Sequence, residues 1–155
     1  MAIPASCQLT FEQALSRAAS LCSTSEHCVS DISEKLARWG MTKAQSDKVI
    51  DRLLEEKYID ESRYAMAYAR DKMRFSHWGR TKIRMMLHMQ HIPDPLIREA
   101  LDALDPQEYA AMARQVIQDK ARSVKADDDY AARAKVIRFA LQRGFGMEEI
   151  EDALE

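Results

Sequence analysis

Glycine and proline are scarce, four of each in 155 residues. That scarcity argues against a turn-rich all-β protein, whose hairpins and tight turns draw on both. It also leaves no room for a nucleotide cradle: there is no Gly-rich phosphate loop, no nucleophile elbow and no H-E-x-x-H zinc motif. No apolar run approaches the ~20 residues of a membrane-spanning helix, and residues 1–9 lack a basic stretch followed by an apolar core. Cysteine is limited to Cys7, Cys22 and Cys28, an odd number confined to the first fifth of the chain. This suits free thiols in a reducing cytosol better than a disulfide framework. A soluble, cytoplasmic protein without a membrane partner is expected.

What is present favours helix. Hydrophobic residues make up 46% and charged residues 31%, and Ala, Leu, Met, Arg, Lys and Glu are abundant. The fold class expected is all-α. Thr10 with Gln13 and Thr42 with Gln45 form capping-box patterns before apolar-periodic stretches. The second of these carries Val49, Ile50, Leu53 and Leu54 as a buried stripe. Ser30 is expected to cap a helix holding Ile32 and Leu36 and stopped at Gly40. Asp60 is expected to cap one running to about Phe75, and Gly79 precedes one with Ile83, Met86 and Leu87 on one side. Asp94-Pro95 and Asp105-Pro106 each read as an acidic cap before a first-turn proline. Residues 123–129 read as a polar linker, and Gly144-Phe145-Gly146 divides the last two of nine helices.

These helices repeat. Thr81-Lys82-Ile83-x3-Leu87-x3-His91-Ile92-x4-Ile97-x3-Leu101 has the same offsets as Ala134-Lys135-Val136-x3-Ala140-x3-Gly144-Phe145-x4-Ile150-x3-Leu154. Ile32-x3-Leu36-x3-Gly40-Met41 begins the same way. A three-helix unit of about fifty residues, repeated about three times with the last copy truncated, is expected to stack into an elongated curved body. The divisions are a lead with one helix over 1–29, repeats over 30–76 and 77–122, and a linker with the truncated copy over 123–155.

Net charge is −2, but residues 62–92 alone carry +6, leaving −8 for the rest. On a helical wheel Arg63, Arg70 and Arg74 fall within about 40° of one another, with Tyr64, Tyr68 and Phe75 as a second stripe about 120° away. The aromatics are expected in the core and the arginines on an outer edge. Arg80, Lys82 and Arg84 follow on the next helix, with Trp78 between the two sets. The partner-binding residues expected are therefore Arg63, Arg70, Arg74, Trp78, Arg80, Lys82 and Arg84. Such a surface suits DNA phosphates or an acidic protein face equally. Met85 and Met89 are expected to pack on the third helix of their unit.

No catalytic, cofactor-binding or metal-ligating set is expected. The acids of "YIDESRYA" (58–65) lack a convergent nucleophile or metal, and Asp60 reads as a helix cap. His88 and His91 stand three apart without a third ligand nearby and read as surface residues. Cys22, His27 and Cys28 lack a C-x-x-C partner pair.

"YIDESRYA", "GRTKIRMML" (79–87) and "RFALQRGF" (138–145) resemble, in order, the signature segments of the RecX family, with likeness running from about Ser30 to Leu154. The resemblance implies tandem three-helix repeats, and a monomeric, non-enzymatic regulator with no cofactor. It implies binding in the groove of the RecA–DNA filament, which blocks filament growth or promotes disassembly and suppresses ATP hydrolysis, strand exchange and RecA-stimulated repressor cleavage. A direct DNA-binding helical module using the basic middle repeat is the alternative, and a weak direct DNA contact is compatible with either. His91-Ile92 stands where the family has Gly-Ile, so that helix end is expected to lack the left-handed glycine cap.

Overall fold

The computed structural model describes residues 9–155, so Cys7 and the start of the lead lie outside the described residues. Among them are nine helices and no strand: α1 (Phe11–Thr24), α2 (Val29–Arg38), α3 (Lys43–Glu55), α4 (Glu61–Asp71), α5 (Arg80–Met89), α6 (Asp94–Asp102), α7 (Pro106–Ser123), α8 (Asp129–Gln142) and α9 (Met147–Leu154). They form two compact units: one reaches to Tyr64 and includes Gln90–Ile92, and the other comprises Ala65–Met89 and Pro93–Glu155.

In the first unit, α1 and α2 both pack on α3. The α1 face is made of Ala14, Ala18 and Cys22, four residues apart and buried. Small side chains at that spacing let α3 approach closely. Ile32 and Leu36 of α2 and Val49, Ile50 and Leu53 of α3 complete the cluster. Each fully buried side chain of this size contributes about 1.5–3 kcal/mol of transfer free energy. Leu54 turns outward instead of joining the stripe, and Ser46 lies inside. The reason is phase: residues 46, 49, 50 and 53 centre the buried stripe, and Leu54, about 90° from that centre, falls at its edge.

Helix starts follow side-chain chemistry at most positions. Thr10 and Thr42 each accept from the backbone N–H three residues on, and Gln13 and Gln45 bond back to the cap N–H. Asp60 accepts from Arg63 N–H at 3.0 Å, and Asp105 from Glu108 N–H at 2.9 Å. Two starts differ from the expected ones. α2 begins two residues early, with Cys28 at the cap position, where Asp31 accepts from Cys28 N–H at 3.4 Å. Ser30 lies inside the helix and its hydroxyl donates to Gln90 O at 3.0 Å, a tertiary bond that local capping rules do not foresee. α6 begins at Asp94 with Pro93 before it, which moves Pro95 to the second helical position.

The helix ends preceding Met41, Ile92 and Phe145 repeat one device. Gly40 and Gly144 take φ of 86° and 95°, and the residue after each sends its N–H back to close the helix, Met41 to Leu36 O and Phe145 to Ala140 O, both at 3.1 Å. His91, at the same place in the repeat, also has positive φ, 60°. The left-handed turn is thus kept without glycine, contrary to expectation, because Ile92 must still be delivered into the core, where it is 2% exposed. An L-residue in that region costs about 1–2 kcal/mol, and the His91 side chain is solvent-exposed. His91→Gly is therefore expected to stabilise the fold by about 0.5–1 kcal/mol after the added unfolded-chain entropy is discounted. A rise in the midpoint of chemical denaturation with unchanged slope checks this.

In the second unit α7 is the spine, in contact with α8 and α9, while α6 packs on α5. α8 and α5 meet end to end through backbone. Gly79 N–H donates to Arg143 O at 2.7 Å and Thr81 N–H to Gly144 O at 3.1 Å. The last carbonyls of one helix thereby satisfy the first amides of another, groups that every helix leaves without internal partners, and the two helix dipoles align favourably. A Cβ on Gly79 would lie 2.3 Å from Gly144 O, so only glycine allows this approach.

Candidate functional site

The basic segment does not present one continuous arginine edge. Arg63 groups with the first unit and clamps it. Its Nε lies 2.5 Å from Glu26 Oε1, and its Nη2 donates to the carbonyls of Lys57 and Tyr58 at 3.2 and 3.4 Å. The Glu26 carboxylate beside it holds its pKa above the ordinary value. These bonds tie the loop after α3 to the one before α2 and leave few donors for a partner. Arg63→Ala is expected to cost about 1 kcal/mol of stability, the net worth of exchanging such bonds for water. Partner affinity is expected to stay within about twofold. Thermal melts and binding titrations of the same variant separate the two effects.

Arg74 and Arg80 are also engaged internally, within the second unit. Arg74 makes a two-pronged pair with Glu108, 2.7 and 3.2 Å, which holds the Glu108 carboxyl below its usual range. Arg80 N–H donates to Tyr109 Oη at 3.0 Å, and that hydroxyl donates to Glu149 Oε2 at 3.2 Å. The Arg80 guanidinium stacks on the Tyr109 ring, 3.9 Å from its centroid, and Arg80 Nη1 lies 3.8 Å from Glu149. Burial pushes the Tyr109 hydroxyl up to about 12. The cleft of about 320 Å³ beside this set is lined by Arg80, Tyr109, Glu148, Glu149 and Asp152, and Arg80, Tyr109 and Glu149 bond one another there. Among the described residues no group of three His, Cys, Asp or Glu is placed to hold a metal ion. Cys22 and Cys28 are free and buried, and desolvation raises the Cys28 thiol to about 11, well away from thiolate chemistry at neutral pH.

Two lysines of the basic segment, Lys72 and Lys82, gather around Trp78. After Asp71 the chain widens into a π-helical turn over Lys72–Ser76 and closes at His77 with φ of 55°. Trp78 N–H then reaches back to Lys72 O at 3.1 Å. This brings Lys72 Nζ within 4.7 Å of the indole centroid, and Lys82 Nζ of α5 lies within 4.5 Å. Lys72 also lies 5.4 Å from the Tyr68 ring. Each contact is worth about 0.5–1 kcal/mol at an exposed site, and together they concentrate positive charge on one aromatic surface. Arg70 and Arg84 stand nearby in sequence, exposed, and form no ion pair among the described residues.

The wide turn also changes which side chains are buried. Phe75, expected in the core with Tyr64 and Tyr68, is 78% exposed, and Met73 is buried instead. A π turn advances each residue by less than the α-helical 100°, so positions beyond it leave the extrapolated stripe. Met85 and Met89, expected to pack internally, are 55% and 65% exposed. Lys72 and Phe75 were absent from the site expected on sequence grounds because their placement depends on that turn. No helix among the described residues is long and apolar enough to cross a membrane.

Nine helices among the described residues, in three-helix units with a cationic and aromatic segment over α4, the π turn and α5, define a helical-repeat protein. The RecX second three-helix domain matches residues 60–101, and the RecX third three-helix domain matches residues 107–154. These correspond to α4–α6 and α7–α9, the same period as the sequence repeat counted from another helix. Regulatory protein RecX of Vibrio parahaemolyticus is 31% identical over 134 residues, covering 86% of this chain and 84% of that one. Regulatory protein RecX of Vibrio vulnificus is 31% identical over 149 residues, covering 96% and 91%. The crystal structure of RecX from Lactobacillus salivarius superposes with a TM-score of 0.80 at 19% identity over 93% of this chain and 94% of that one, which shows the shared fold. The chain belongs to the RecX family of regulatory proteins.

Proposed function

We propose that this protein is a non-enzymatic, monomeric and cytoplasmic regulator that binds the RecA–DNA filament. By bridging recombinase subunits it restrains filament extension, ATP hydrolysis, strand exchange and the stimulation of repressor cleavage. The observation that carries this reading is the lysine pair Lys72 and Lys82 held against Trp78, in a segment of net +6 that also carries the exposed Arg70 and Arg84, within a chain otherwise acidic. Charge of one sign on a defined face steers association with an oppositely charged assembly. Contacts to successive protomers add through effective concentration, so modest individual contacts suffice.

A second reading is favoured by Trp78 itself. An indole flanked by two lysines suits a stacked base with phosphates on either side, the arrangement used for single-stranded nucleic acid. Titration of the labelled protein against DNA alone, RecA alone and the assembled filament distinguishes the two. The filament reading expects tight binding only to the assembled filament. Equal affinity for naked DNA, falling steeply with salt, overturns it in favour of direct DNA binding.

A further inference from the structure

α5 carries an outward stripe that the second unit leaves uncovered. Ile83 and Leu87 are fully buried, while Lys82, Met85 and Met89 follow at i, i+3 and i+7 on the opposite side. The stripe spans two turns, about 10 Å, and begins beside Trp78, whose ring holds the Lys82 ammonium. Two methionines exposed by more than half do little for the stability of the folded chain. Their flexible, polarisable side chains adapt to an apolar partner surface. The i, i+3, i+7 spacing forms a ridge whose natural complement is the apolar face of another helix. The ridge is headed by Lys72 and Lys82, both held against Trp78, in a segment of net +6, so the complementary flank is acidic. Nucleic acid fits less well, because methionine offers it neither a π face for stacking nor a hydrogen-bond donor.

We infer that the Lys82–Met85–Met89 face of α5, with Trp78 at its head, docks an acidic amphipathic helix of a partner protein. The helix lays its apolar side on the methionines and its carboxylates against Lys72 and Lys82. This rests on the reading of the face as a protein-binding one and specifies the segment it takes.

The test uses the full chain with Trp39→Phe, which leaves Trp78 as the sole tryptophan, and with methyl-labelled methionine. The probes are a synthetic helical peptide with leucines on one face and glutamates elsewhere, the same composition scrambled to abolish that face, and an oligo-dT strand. The helical peptide is expected to shift the Met85 and Met89 methyl signals and Trp78 emission, and to bind at least tenfold more tightly than the scrambled one. Met85→Lys with Met89→Lys is expected to weaken it at least tenfold although two positive charges are added. These positions are exposed, and circular dichroism verifies that the variant stays folded. Equal binding of the scrambled peptide, tighter binding by the double-lysine variant, methyl shifts with oligo-dT alone, or no binding of the helical peptide would each overturn the inference. The titration contains neither recombinase nor duplex, so its failure leaves the filament result standing, and the reverse holds too.

Discussion

Replacing Gly79 with alanine is expected to destabilise the protein by about 3 kcal/mol, the upper part of the range for overpacking. The added methyl would sit 2.3 Å from Gly144 O, 2.4 Å from Gly144 C and 2.6 Å from Phe145 N. All three are backbone atoms, so no side chain can rotate away, and the α5–α8 junction has to open. Opening it breaks the bonds from Gly79 N–H to Arg143 O and from Thr81 N–H to Gly144 O, each worth about 1 kcal/mol net. For a chain of this length the melting temperature should fall by about 10 °C. Hydrogen exchange should show the Gly79 and Thr81 amides losing protection first. Gly144→Ala is expected to be at least as severe, since a Cβ there would meet Lys82 N and Cβ at 2.5 Å and φ is +95°. Gly146→Ala is the control, because a methyl group there would meet nothing within 4 Å and φ is an ordinary −86°. A melt of Gly79→Ala that overlays the control would show that the end-to-end junction contributes little.

Reversing Arg70 and Arg84 together to glutamate is expected to weaken inhibition of RecA ATP hydrolysis by roughly tenfold or more while leaving helicity unchanged, since reversed charges repel a complementary surface. Both are exposed and neither forms an ion pair among the described residues, so reversal breaks no salt bridge there. Arg74 is a poorer choice. Its reversal would set a glutamate against Glu108 and disturb the capped first turn of α7, confounding loss of binding with loss of structure. Full inhibition by a folded Arg70→Glu, Arg84→Glu protein, measured by ATPase assay alongside circular dichroism, would remove these two arginines from the proposed contact.

Much of the helical framework was legible because its determinants are local. A threonine with glutamine three residues on, or an aspartate before a proline, bonds the same amides wherever the chain goes, and Thr10, Thr42 and Asp105 do so. Buried positions at i, i+3, i+4 and i+7 were readable for the same reason, as in Ile83 with Leu87 and Ile97 with Leu101, whereas at the last helix Ala153 is buried in place of the expected Leu154. The candidate face was legible in part. Its charge excess and Trp78 could be read from the sequence, but Arg63, Arg74 and Arg80 each meet a carboxylate at least 34 residues away in the chain. No local pattern announces such pairings.

Caps, periodicity and composition act over a few residues, and they were enough to specify an all-α chain of repeated three-helix units with a basic middle. Which cations of the basic middle pair internally was decided by packing. Arginine spacing on a wheel assumes one unbroken α-helix, and the π turn at Lys72–Ser76 breaks that assumption. It turns Phe75 outward, buries Met73 and sets Lys72 against Trp78. Long-range carboxylates then neutralise three of the six cations expected in the site. A side chain's availability depends on what the folded chain places beside it, and no stretch of a few residues encodes that placement.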